Sequence, residues 1–165
     1  EYTQQLASLN AHISTKMRAD GRSEQYIADH QFTFRDVITV ASLIEEETSS
    51  ANESYTIASV IYNRLFSWGG TPAYLNIDAA IIYATGDPDN IDTSINHPYN
   101  TYTRPGLVPG PIANPGRASL DAALDPSDTG YYYFVLNPKT GTHEYSKTYA
   151  EHQQKVEEFA KLEGQ

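Results

Sequence analysis

Three carboxylates in a row, Glu45, Glu46 and Glu47, followed at once by Thr48, are the residues of this chain best placed to do chemistry. They close a helical segment, and a helix turns each successive side chain by about 100°. With Ile44 at the centre of the apolar stripe, Glu45 lies about 100° to one side and Glu46 near the back. Glu47 lies only about 60° away, beside Val40 and Leu43. Glu47 is therefore the carboxylate expected to lose water. Desolvation disfavours the charged form and raises the pKa, which makes a carboxylic acid a proton donor near neutral pH. Cleavage of a glycosidic bond needs such a donor, because an unprotonated alkoxide leaves poorly. Periodicity by itself favours a plainer reading, a solvated charge run with Glu47 at its edge and paired to a cation such as Arg64.

The elements that would position these residues follow from spacing. Leu6, Leu9, Ile13 and Met17 repeat at helical intervals over Glu1 to Arg18, ending near Gly21, and a short helix is expected over Ser23 to Asp29. Thr33-Phe34-Arg35-Asp36 reads as a capping box. It opens a helix whose stripe is Val37, Val40, Ala41, Ile44, Thr48 and Ala51, before a loop rich in Ser, Asn and Glu. A third helix carries Ile57, Val60, Ile61 and Leu65 and ends before Gly69-Gly70. From Thr71 to Pro115 the chain is rich in Pro, Gly, Asn and Asp, with a helical patch at Ala79 to Tyr83. So long an irregular stretch in a compact domain is usually functional. Arg117 to Leu124 is a helix, Tyr131 to Leu136 and Thr142 to Ser146 a hairpin, and Thr148 to Leu162 a last helix with Thr148 and Glu151 as its cap. The expectation is one α+β domain over residues 1–165.

Composition removes several classes of function. The net charge is −10 and no run of Lys or Arg reaches three residues, which argues against a nucleic-acid surface. Cysteine is absent, so disulfides, thiolate nucleophiles and Cys-based zinc sites are excluded. His97, His143 and His152 have no metal-ligand spacing of the HExxH kind, and no cofactor is expected. The 13 Tyr offer flat apolar faces with polar tips, suited to sugar grooves and to ordinary cores alike. No apolar run approaches the roughly 20 residues of a membrane span. The chain opens at Glu1-Tyr2-Thr3, inside a helical pattern, so a targeting segment is expected upstream.

Five segments taken in order carry a resemblance. They are ASLIEEET, IASVIYNRL, LNIDAAIIYATG, HPYNTYTRPGLVPGPIANPG and YYYFVLNPKTGTHEYSKTYAEH. Together they resemble the YceG-like family of endolytic murein transglycosylases, from about Thr33 to the C-terminus. The resemblance implies a lysozyme-like helical core carrying the catalytic Glu, a small antiparallel hairpin and a long irregular segment lining a groove. It implies cleavage of the β-1,4 bond between N-acetylmuramic acid and N-acetylglucosamine without water. The muramyl 6-hydroxyl attacks its own anomeric carbon, and one carboxyl serves first as acid and then as base.

The catalytic position falls on Glu47, the one glutamate of the three followed by a small hydroxyl residue, with Glu45 the second choice. Substrate-binding candidates are Asn63, Asp78, Tyr99, Asn100, Thr101, Tyr102 and Asn114. Asn63 and Arg64 either orient Glu47 or its substrate, or make a helix-to-loop hydrogen bond. Asp78 reads as a helix N-cap ahead of a substrate contact, and Asn114 as a cap of the next helix. Gly106 to Gly116 reads as a rigid wall, and His143 on its strand as structural.

The sequence departs from the family pattern at Asn76 and Ala79, where a Gln and a Pro flank the Asp, and at Val108-Pro109 in place of paired prolines. The implied partners are peptidoglycan glycan strands, and cell-wall synthesis or division proteins. The implied place is outside the cytoplasm, with a membrane anchor and a LysM-like module belonging to a longer chain. A binding or scaffolding module that keeps the groove without turnover is the competing reading.

Overall fold

A computed structural model describes residues 1–66 and 74–163. The break expected at Gly69-Gly70, and Thr71 at the start of the irregular stretch, lie outside the described residues. Helices α1 (Tyr2–Ala19), α2 (Glu24–Asp29), α3 (Phe34–Glu47), α4 (Ala51–Phe66), α5 (Asp78–Thr85) and α6 (Arg117–Leu124) precede strands β1 (Tyr133–Leu136) and β2 (His143–Ser146), and α7 (Tyr149–Glu163) closes the order. The fold is α+β. Among the described residues no helix is long and apolar enough to cross a membrane.

The local signals act as their chemistry dictates. Thr33 Oγ1 accepts from the Asp36 N–H, and Asp36 Oδ2 accepts from the Thr33 N–H at 2.8 Å, so the capping box starts α3. At the last helix Thr148 Oγ1 accepts from the Glu151 N–H, and Glu151 Oε2 from the Thr148 N–H. Gly86 ends α5 at φ 72°, a left-handed conformation that glycine adopts without penalty.

The helix carrying the glutamates is not amphipathic in the usual sense. Val37 and every residue from Thr39 to Ile44 are buried, so the middle of α3 is enclosed on all faces, while Phe34, Arg35, Glu45 and Glu46 at its ends are exposed. It packs against α4, α5 and α6, and α6 also lies against α4. The Ser42 hydroxyl, wholly buried, donates to Thr39 O and accepts from the Ile112 N–H, which fastens the Pro-Gly segment across the helix.

The expected continuation of the stripe through Thr48 and Ala51 is wrong. Thr48 turns out at φ −152°, ψ 144° and ends α3, while its hydroxyl accepts from the Ser50 N–H. Ala51 instead opens α4, and the residues expected as a loop form the first turn of that helix.

The hairpin pairs Tyr133 with Ser146 through Leu136 with His143, and α7 rests on both strands. β1 starts two residues later than expected, because the Tyr131 carbonyl is taken by Asn63 Nδ2 instead of the ladder.

Replacing Ile44, wholly buried on α3, with Ala is expected to destabilise the chain by about 2–4 kcal/mol. Urea unfolding followed by circular dichroism measures this; an unchanged midpoint would place Ile44 outside the core.

Candidate active site

The three carboxylates at the end of α3 separate as the helix turns. Glu45 reaches the N-terminus of α6, where its Oε2 accepts from the Ser119 hydroxyl at 2.6 Å and the Gly116 N–H at 3.0 Å. Those two bonds, Ser119 first, hold its pKa below the usual carboxylate range. A negative charge at a helix N-terminus is stabilised by the helix dipole. The second-choice acid is thus a cap for a neighbouring helix.

Glu46 points to solvent. Glu47 is half-buried and lines a cavity. Burial, then the charges of Asp78 and Glu46, push its pKa up to about 7. Its place as the last residue of α3, at the negative end of the dipole, acts in the same direction. Among the described residues the Glu47 carboxyl makes no hydrogen bond and no ion pair with Arg64.

The cavity measures about 330 Å³, within the range of small-ligand sites. Glu47, Arg64, Leu75, Asn76, Asp78 and Tyr102 line it together with Tyr133, Phe134, Tyr149 and His152. Arg64 Nη1 donates to Leu75 O at 2.8 Å, and its guanidinium lies 5.3 Å from the centre of the Tyr133 ring. Tyr102 Oη donates to Asp78 Oδ1 at 2.6 Å. Burial and that bond push the Tyr102 phenol up. His152 stacks on Tyr133 at 5.2 Å, and burial, then Arg64 and Lys155, lower its pKa. A protonated carboxyl facing aromatic walls can hand a proton to an ether oxygen and take one back.

Of the residues expected at the site, the structure brings Asp78, Tyr102 and Arg64 to Glu47. The others lie elsewhere. Asn63 turns away, donating to the Thr129 and Tyr131 carbonyls at 2.8 and 2.9 Å, and lines a different cavity with Lys16 and Tyr132. Asn100 is wholly buried; it donates to the Thr93 and Ile95 carbonyls and accepts from the Tyr102 N–H. Thr101 Oγ1 bonds both the N–H and the carbonyl of Ile77. These two residues organise the loop, and with Arg104 border a separate cavity of about 340 Å³.

Tyr99 packs on Tyr83 and His97. Asn114 is exposed and caps nothing, since Gly116 holds the N-cap of α6. Asp78 is likewise not an N-cap: it is the first residue of α5, behind Ile77.

Sequence reasoning missed Tyr133, Phe134, Tyr149 and His152 in the lining of the Glu47 cavity. Their signal was the Tyr131-Tyr132-Tyr133 run, together with Tyr149 and His152 three residues apart on one helical face. His97, His143 and His152 stand in separate surroundings, against Tyr99, Glu53 and Tyr133.

Comparison with known proteins adds an independent observation. The model of the YceG-like family matches residues 2–158. The endolytic murein transglycosylase of Bacillus subtilis is 42% identical over 127 residues, 74% of this chain and 34% of that protein. That of Streptococcus pneumoniae is 32% identical over 141 residues, 80% of this chain and 25% of that protein. A crystal structure of a yceG-like protein from Listeria monocytogenes superposes with a TM-score of 0.67 at 35% identity, covering 85% of this chain and 44% of that one. The chain spans between a quarter and about a third of the length of these two curated relatives.

Two stability measurements test the electrostatics. Folding raises the Glu47 pKa from 4.5 to about 7, so its contribution is fully present below 4.5 and is lost as pH rises through 7. Glu47→Gln should therefore match the parent in acid and exceed it by about 2–3 kcal/mol above pH 7; equal stability at both ends would remove the claim of burial. Glu45 has the opposite sign. Glu45→Ala should cost about 1 kcal/mol at pH 7. The difference should shrink as acid protonates the parent's carboxylate; a pH-independent gap would contradict the capping role.

Proposed function

The chain belongs to the YceG-like family, and on that premise we propose that it cuts peptidoglycan glycan strands as an endolytic lytic transglycosylase, with Glu47 as its single acid and base. The observation that carries this reading is a carboxyl held protonated up to about pH 7 in an aromatic-walled cavity of about 330 Å³. Glu47 gives its proton to the oxygen linking N-acetylmuramic acid to N-acetylglucosamine, and the anomeric C–O bond breaks. The muramyl 6-hydroxyl oxygen then bonds to the anomeric carbon, and its proton returns to Glu47. The product ends in 1,6-anhydro-N-acetylmuramic acid, no water is consumed, and no second nucleophilic carboxylate is needed.

The neighbouring residues take supporting parts in this proposal. Asp78 is occupied by the Tyr102 hydroxyl, and its charge favours a proton on Glu47. It also favours positive charge building at the anomeric carbon. The exposed ring of Tyr149 offers a face for sugar stacking, with Tyr133, held between Arg64 and His152, packed beside it. Arg64 suits the carbonyl of an N-acetyl group. A substrate outside the cytoplasm, an anchor to the cell membrane in the longer protein, and association with cell-wall synthesis and division proteins complete the reading.

Mass spectrometry of peptidoglycan digested by the chain should show anhydro-muramyl ends; reducing ends would indicate hydrolysis, and no products a binding module. Glu47→Gln should lower turnover by about 10²–10⁴-fold. Because the first step needs the protonated acid, kcat/KM should fall as pH climbs through about 7; a rise there would overturn the assignment.

A further inference from the structure

Resting on the transglycosylase reading, we infer that Glu53 is a positioning residue for Glu47, acting through Thr48. Glu47 has no hydrogen bond of its own among the described residues, so its place is set by where α3 stops. α3 stops at Thr48, and the hydroxyl that holds this stop donates to Glu53 Oε2 at 3.2 Å while accepting from the Ser50 N–H at 3.0 Å. The other oxygen, Glu53 Oε1, accepts from the His143 N–H at 2.5 Å, and His143 Nδ1 lies 3.3 Å from Oε2. One carboxylate thus ties three chain segments: the end of α3, the first turn of α4, and β2.

The tie is sheltered. The side chains of Glu53 and His143 are 14% and 10% exposed. Burial alone raises the Glu53 pKa, but the bonds from His143 and Thr48 outweigh it and hold the group below the usual carboxylate range. The α4 N-terminus, where Glu53 sits, favours the same charge.

The clamp also reaches a second part of the cavity lining. The His143 ring meets Phe134 edge-on at 5.4 Å, and Phe134 lines the same cavity as Glu47. Glu53 therefore sets both the proton donor and the wall against which a sugar must rest. The distance between the two decides how well the donor meets its oxygen, and displacement by about 1 Å is enough to slow a reaction about 100-fold.

The test compares Thr48→Val, Thr48→Ser, Glu53→Gln and the Thr48→Val/Glu53→Gln pair on purified glycan strands. Thr48→Val and Glu53→Gln should lower kcat by about 10- to 100-fold with KM within about twofold. Thr48→Ser should keep kcat near the parent's, and the pair should be no slower than Glu53→Gln alone. A purely structural clamp would lower the melting temperature with kcat per folded molecule unchanged, and that result would overturn the inference.

The Glu47 pKa, followed by carbon NMR of labelled glutamate, gives a readout independent of turnover. It should fall in Thr48→Val and Glu53→Gln as the carboxyl loosens into water, and a fixed value would sink the inference. Should the parent yield no anhydro ends while these shifts occur, the functional reading fails and the positioning role stands.

Discussion

The site depends on keeping water from one carboxyl at the end of a helix. Had α3 carried apolar residues on one face only, its last residue would sit at the protein surface and titrate as an ordinary glutamate. Instead Thr39 through Ile44 are buried in succession, enclosed by α4, α5 and α6. The last residue therefore emerges from the core into a cavity, while Glu45 and Glu46 before it stay exposed. Each pKa unit is worth about 1.4 kcal/mol, so a displacement from 4.5 to about 7 is a sizeable strain against the marginal stability of a small domain. The surrounding packing has to supply it.

Three adjacent residues of identical chemistry meet three different environments there. Glu45 finds the N–H groups and hydroxyl at the start of α6 and stays charged. Glu46 finds water. Glu47 finds protein, together with the charge of Asp78. The helix turn alone produces this division, because successive side chains are about 100° apart. Glu53, six residues on, then holds the turn in place from the next helix.

Much of this was legible in the sequence. Capping chemistry marked the start of α3 and of α7, helical spacing marked α1 and α4, and the angular argument singled out Glu47 among its neighbours. What was not legible depended on distant partners. Thr48 and Ala51 continue the apolar pattern on paper, but the Thr48 hydroxyl prefers Ser50 and Glu53 to another helical turn. Asn63 looks like a site residue from its place beside Arg64, yet its amide serves two carbonyls of a strand entry about 65 residues away in sequence. The Tyr133, Tyr149 and His152 wall comes from a hairpin and a helix far along the chain, and no local pattern brings them to Glu47. The family resemblance marked the region containing Tyr99 to Tyr102. It could not tell that Tyr102 faces the cavity while Asn100 and Thr101 face inward.

The burial of Asn100 bears on how a ligand is met. With its amide group spent on the Thr93 and Ile95 carbonyls and the Tyr102 N–H, the polar interior of this irregular stretch is already satisfied before anything binds. The entropy of ordering it is lost during folding, so a ligand arriving at Tyr102 meets a surface that has no slack left to take up. Association with such a rim should be governed by the ligand's own loss of freedom, and a long stretch of chain without helix or strand can serve as a rigid jaw.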